Sequence, residues 1–157
     1  MITKQDLLSL YGQELKTTAK VIAALPEGNM DYKPNEEKSN SLKSIVNTLI
    51  VGNFMNMKFL KGEQPSNSMD GVPEFDSIAG AVEANDKMAA EFMSALEAAS
   101  DEDLQQPFSM WGMEGTRADI IMGMMRDMIH HRGQLSVYIR LLNGKVPSIY
   151  GPTADDQ

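Results

Sequence analysis

The amino-acid sequence predicts an all-α protein folded as a four-helix bundle. Three observations lead there. Four long stretches repeat apolar residues at three- and four-residue steps, the signature of a helix with one buried face. Hydroxyl side chains suited to capping stand at Thr3, Ser41 and Thr116, and Gly or Pro follows the ends of the first, second and last stretches. No segment reads as a strand of consequence.

The first helix is expected from Thr3, an N-cap with Asp6 three residues on, to about Leu25. Leu7, Leu10, Tyr11, Leu15, Ala19 and Ile22 form its apolar stripe, and Pro26 and Gly28 stop it. The linker that follows holds Tyr32, which gives it something to bury. Ser41 caps a second helix over Leu42 to about Lys61, with Ile45, Leu49, Met55, Phe59 and Leu60 inward and Gly62 closing it. Thr48 and Gly52 are weak helix formers in its middle, and mark either close packing or the wall of a cavity. A polar loop over 63–75 leads to a third helix from about Asp76 to Ala99, built on Ile78, Val82, Met88, Phe92, Met93 and Leu96. Residues 108–115 alternate apolar and small side chains and are extended or a tight hairpin, too short for a sheet of their own. Thr116 then caps the last helix, with Ile120, Met124, Met128, Leu135, Ile139 and Leu142 inward. Asn143-Gly144 ends it, since glycine accepts the left-handed conformation, and Pro147 prevents resumption.

At 157 residues the chain is expected to be one domain with one substantial core. Its net charge of −8 disfavours nucleic acid or an anionic membrane as partner. The absence of cysteine excludes disulfides, thiolate metal sites and cysteine nucleophiles. The start of the chain is too charged for a signal peptide, and no apolar run approaches the roughly 20 residues that span a bilayer, so the cytoplasm is the expected compartment. Thirteen methionines beside five phenylalanines and one tryptophan point to an adaptable core rather than a soft-metal site.

The last helix carries both histidines. Asp127 and His131 stand four residues apart and share a face, which Gln134 and Tyr138 continue. A carboxylate and an imidazole at that spacing are a candidate pair of ligands for a borderline metal, or else a hydrogen-bonded polar pair. His130 lies about 100° round the helix and cannot face the same centre.

The run HHRGQLSVYIRLLNGKVPSIYGPTADDQ, after a second helix reading NTLIVGNFMNMKFLKG, resembles the DinB-like superfamily. The resemblance spans Leu7 to Tyr150 and is most specific in His131-Arg132-Gly133-Gln134 and Arg140-Leu141-Leu142. It implies up-down-down-up or similar connectivity and a divalent metal, zinc or nickel, held by three histidines. One comes from the middle of the second helix and two from the last, four residues apart. Some relatives are thiol-dependent S-transferases. Carried onto this chain, the last ligand is His131, but the other two fall on Asp127 and Thr48, and Asn53 matches an asparagine common in close relatives. Aspartate can replace histidine; threonine, a neutral hydroxyl, is a poor ligand. Without metal, Asp127 would accept a hydrogen bond from His131 or Thr48. The family position of His130 looks structural, with its hydrogen bond to a neighbouring helix or loop. Arg132 and Arg140 are expected to pair with the acidic excess or to anchor the C-terminal tail.

The resulting expectation is a divalent-metal-dependent enzyme of thiol S-transferase or hydrolase type with an incomplete ligand set. The alternative is a metal-free protein on the same fold that binds a small molecule or acts as a dimeric interaction module. A homodimer is expected in either case.

Overall fold

The structure, a computed structural model, describes residues 2–64 and 68–156. Four long helices carry it: α1 (Lys4–Ala23), α2 (Leu42–Leu60), α3 (Ile78–Ala98) and α5 (Arg117–Leu141). A single turn, α4 (Asp101–Leu104), and an antiparallel hairpin of β1 (Pro107–Met110) and β2 (Met113–Thr116) join α3 to α5.

The helix starts follow the local chemistry. Thr3 and Asp6, Ser100 and Asp103, and Thr116 and Asp119 each form a capping box, in which the hydroxyl accepts from the N–H three residues on and the carboxylate accepts from the cap N–H. These boxes hold all three carboxyls below their usual range, through hydrogen bonds from the cap residue. Ser41 caps α2 and Ser77 caps α3 by accepting from the N–H three residues on. The third helix therefore begins just past the expected Asp76.

The ends differ in detail from expectation. α1 stops at Ala23, because Leu25 precedes Pro26 and is sterically pushed out of the helical region. α2 closes with Gly62 at φ 73°, its N–H bonded to Phe59 O and the Glu63 N–H to Lys58 O. At the end of α5 the same pair of bonds forms, but Asn143 takes the left-handed conformation, at φ 60°. Gly144 is needed for a different reason: a Cβ there would lie 2.9 Å from Ile139 Cγ2.

Contacts between helices set the directions. Tyr11 bonds Ile121 O and Glu14 pairs with Arg132, so α1 and α5 run parallel. The Arg117 guanidinium caps Leu60 O at one end of α2, and the Tyr138 hydroxyl donates to Asn40 O at the other, so α2 and α5 are antiparallel. The start of α1 lies beside the end of α3, where the Lys4 ammonium donates to Glu97 O. The order is up-down-down-up.

The main core lies between the four helices, with Tyr11 and Phe92 meeting edge to face at 4.8 Å. Leu10, expected inward, is 42% exposed: the buried stripe runs through Leu7, Tyr11, Leu15, Thr18 and Ile22 and leaves Leu10 at its edge. The hairpin is a two-stranded sheet after all. It is stabilised by neighbours rather than by itself, since Phe108 and Met110 alternate inward onto Met55, Phe59 and Ile120. No described helix is long and apolar enough to cross a membrane.

Candidate functional site

The polar face of α5 meets the middle of α2 beneath the hairpin tip. Asp127 Oδ1 lies 3.5 Å from His131 Nε2; the Asp127 side chain is half-exposed and that of His131 is 17% exposed. Thr48 reaches the same place from α2, but its hydroxyl donates to Ser44 O, one turn back, rather than to Asp127.

Gln134 links the two imidazoles. Its Oε1 is 2.9 Å from His131 Nδ1 and its Nε2 is 3.0 Å from His130 Nε2. So oriented, Gln134 accepts from His131 Nδ1–H and donates to His130. A neutral His131 then turns the Nε2 lone pair toward a carboxylate oxygen, a meeting that a cation or a second ring proton relieves. Turning the amide over reverses the chain and places Nε2–H toward Asp127. His130 thus finds its partner on its own helix, and its ring is exposed rather than docked on a neighbouring helix or loop. Tyr138 leaves the cluster: it is buried against Tyr32, edge to face at 6.0 Å, and holds the linker before α2.

Inside the Asp127–Thr48 rim is a small chamber of about 10 Å³, walled by Tyr11, Thr48, Gly52, Asn53, Asn56, Met124 and Asp127, among others. Outside it, a cleft of about 470 Å³ runs over Val51, Met55, Met113 and Gly123 to Trp111. Thr48, Gly52, Met124 and Asp127 border both. Thr48 and Gly52 are therefore cavity wall, the alternative to close packing.

The chamber is polar where a core is usually apolar. Tyr11 donates to Ile121 O at 2.6 Å and accepts from Asn56 Nδ2 at 3.1 Å. Burial pushes its phenol well above the ordinary value, outweighing the hydrogen bond from Asn56, so the hydroxyl keeps its proton. That proton is committed to Ile121, so Asn56 must present its nitrogen to Tyr11 and its oxygen elsewhere. Asn56 Oδ1 and Asn53 Nδ2 are buried and lack partners within the described residues. Each such group costs about 1–3 kcal/mol; Asn85 Oδ1 and Arg117 Nε are likewise buried without partners, but neither lines the chamber.

Trp111 forms the outer lip. It and Gly112 make the two-residue hairpin turn, both with positive φ, 48° and 80°. Such a turn favours Asn-Gly; a bulky residue in the left-handed region is strained. Trp111 is also 68% exposed.

Among the described residues no three His, Asp or Glu side chains converge as a metal cluster. Two donors 3.5 Å apart match neighbouring ligands of a tetrahedral ion, which stand about 3.4 Å apart. The third position is a backbone-bonded threonine. The residues present fit a two-donor site, not a three-histidine centre.

A larger groove of about 810 Å³ runs along α2 and the 69–76 loop and contains none of the residues nominated from sequence.

The model of the DinB family matches residues 1–157, the whole chain. The chain belongs to the DinB family. Solved structures agree on the fold: a DinB-like protein from Bacillus cereus ATCC 10987 superposes with a TM-score of 0.75 at 21% identity, covering 93% of this chain and 97% of that one. A DinB-like protein from Bacillus subtilis, YjoA, gives 0.75 at 20% identity, over 94% and 99%. The uncharacterized protein YrdA of Bacillus subtilis (strain 168) is 32% identical over 66 residues, 41% of this chain and 40% of that protein. The chain thus spans about two fifths of the length of that relative. In this DinB-family chain, sequence reasoning nominated Asp127, His131, Thr48 and Asn53, which lie at or next to the chamber. It missed Tyr11, Asn56 and Trp111. The signals for them were present: Asn53 and Asn56 fall in line with Leu49 and Leu60 on the apolar face of the second helix, and Trp-Gly stands where a hairpin turn prefers Asn-Gly.

Proposed function

We propose that this DinB-family protein binds a small molecule in the cleft between α2, α5 and the hairpin. The ligand lies under Trp111 and faces Thr48 and Asp127 at its inner end, with His131 behind Asp127. The observation that carries this reading is Trp111: a strained, exposed aromatic side chain at the lip of an apolar cleft with a polar floor. A hairpin needing only to close would gain by placing a small polar residue there. The residues of the site bind and orient; no thiol-transfer or hydrolytic step is assigned to them.

A second reading has its own support. Asp127 and His131 have the separation of two ligands on one ion, so a divalent cation such as zinc or nickel would be held there by two protein donors and water. Two donors make a weak site, and zinc content after desalting measures it: near one ion per chain, lost in His131→Ala, favours this reading over the first.

The cleft reading is tested with toluene as an apolar probe and the methionine methyl groups as reporters. Met55, Met113 and Met124 line the cleft, whereas Met88 lies in the core. Toluene is expected to move the first three methyl resonances and leave Met88 in place. If none of the three responds at saturation of the aqueous phase, the cleft does not bind small molecules.

A further inference from the structure

The inner chamber contains two unpaired groups of opposite kind. Asn53 Nδ2 can only donate and Asn56 Oδ1 can only accept, and both side chains are 2% exposed. Neither is rescued by turning the Asn56 amide over: its oxygen would then face the Tyr11 oxygen, whose one proton is held by Ile121 O. The space between the chamber walls is about 10 Å³, the size of one oxygen with its protons.

We propose that the chamber recognises a neutral hydroxyl group at the end of an apolar ligand, accepting from Asn53 Nδ2 and donating to Asn56 Oδ1 through a single oxygen. This rests on the cleft reading and adds the chemistry of what the cleft selects. With the Asn53 amide nitrogen turned toward the chamber, as it stands, the donor-plus-acceptor pair decides the class. An ammonium donates only and would meet the Asn53 N–H; a carboxylate accepts only and would meet Asn56 Oδ1 beside the Asp127 carboxylate. A primary amide has the right hydrogen-bonding sense but two heavy atoms for a one-oxygen space. The apolar body of the alcohol lies in the outer cleft. Met124, which borders cleft and chamber, is an unbranched side chain able to adjust as the hydroxyl enters.

Benzyl alcohol and toluene differ by this one oxygen and form the test. On the wild-type protein, benzyl alcohol is expected to bind about tenfold tighter than toluene, the net gain of the two hydrogen bonds. It should also shift the Asn53 side-chain N–H resonances, which toluene leaves unmoved. In Asn53→Leu and Asn56→Leu the preference should fall to nearly none. The wild-type amide resonances decide the matter even if a variant fails to fold. Equal binding of the two probes, with both moving the cleft methionine methyls and neither moving the Asn53 amide, overturns hydroxyl recognition and leaves the cleft reading standing. If neither probe moves the methyls, both readings fall together.

Discussion

At the scale of single residues, the tip of the hairpin and the buried arginine call for opposite tests. Trp111 holds a left-handed conformation that costs a bulky residue about 1–2 kcal/mol, and Asn is the residue that turn prefers. Trp111→Asn is therefore expected to raise the melting temperature by a few degrees while weakening toluene binding severalfold. A variant that is both less stable and unchanged in binding would remove the argument that Trp111 serves the cleft. Arg132 is almost wholly buried and pairs with Glu14 at 2.6 Å, with Glu14 O at 3.2 Å, and with the Tyr150 hydroxyl, which donates to Glu14 Oε2 at 2.8 Å. Burial and the bond to Glu14 hold the Tyr150 phenol above its ordinary value, so it stays protonated. This cluster ties the tail to α1, while Arg140 ties it again through Asp155 at 2.9 Å. Removing one partner leaves a buried charge, so Arg132→Met should cost about 3 kcal/mol in urea unfolding. Adding Glu14→Gln to it should restore part of that loss, and a further additive loss would show that the pair is not coupled.

At the scale of elements, the capping boxes contribute a stability that acid removes. Asp6, Asp103 and Asp119 titrate below the ordinary 3.8 because the cap N–H and hydroxyl bond their charged forms. A depressed folded value means that the unfolded chain binds protons first. The stabilisation is thus complete above the unfolded value, and is lost as pH falls from about 5 through 3.8 and past the folded values. Asp119→Asn should lower stability at pH 7 but flatten its fall between pH 5 and 3, read from thermal unfolding across that range. An unchanged slope would place the acid response elsewhere. These boxes were legible in the sequence at Thr3 and Thr116 because they are local: four residues and their spacing suffice. The end of α5 was half legible. Asn143-Gly144 announced a stop, but which of the two takes positive φ depends on Ile139 crowding Gly144, a contact that spacing does not encode.

At the scale of the whole molecule, the bundle was legible from periodicity, and its connectivity from family resemblance; the site was legible only where it lies on one helix. Asp127 and His131 share a face of α5, so spacing joins them. The chamber is made across helices, from Tyr11 on α1, Asn53 and Asn56 on α2 and Asp127 on α5, and no local pattern brings those together. That cross-helix geometry makes a last prediction. Thr48 on α2 borders the chamber beside Asp127, at the position where the family resemblance implies a histidine. If α2 and α5 hold the spacing of the three-ligand site, Thr48→His adds one imidazole to Asp127 and His131 and completes a set of two histidines and a carboxylate. The variant should retain about one zinc per chain after desalting, more than the two donors of the wild type retain. Because the ion would join two helices that separate on unfolding, zinc should raise the variant's melting temperature clearly more than that of the wild type. His131→Ala in the same background should abolish the difference. A Thr48→His protein that folds and gains neither zinc nor stability would mean that positions 48, 127 and 131 do not converge closely enough to share an ion.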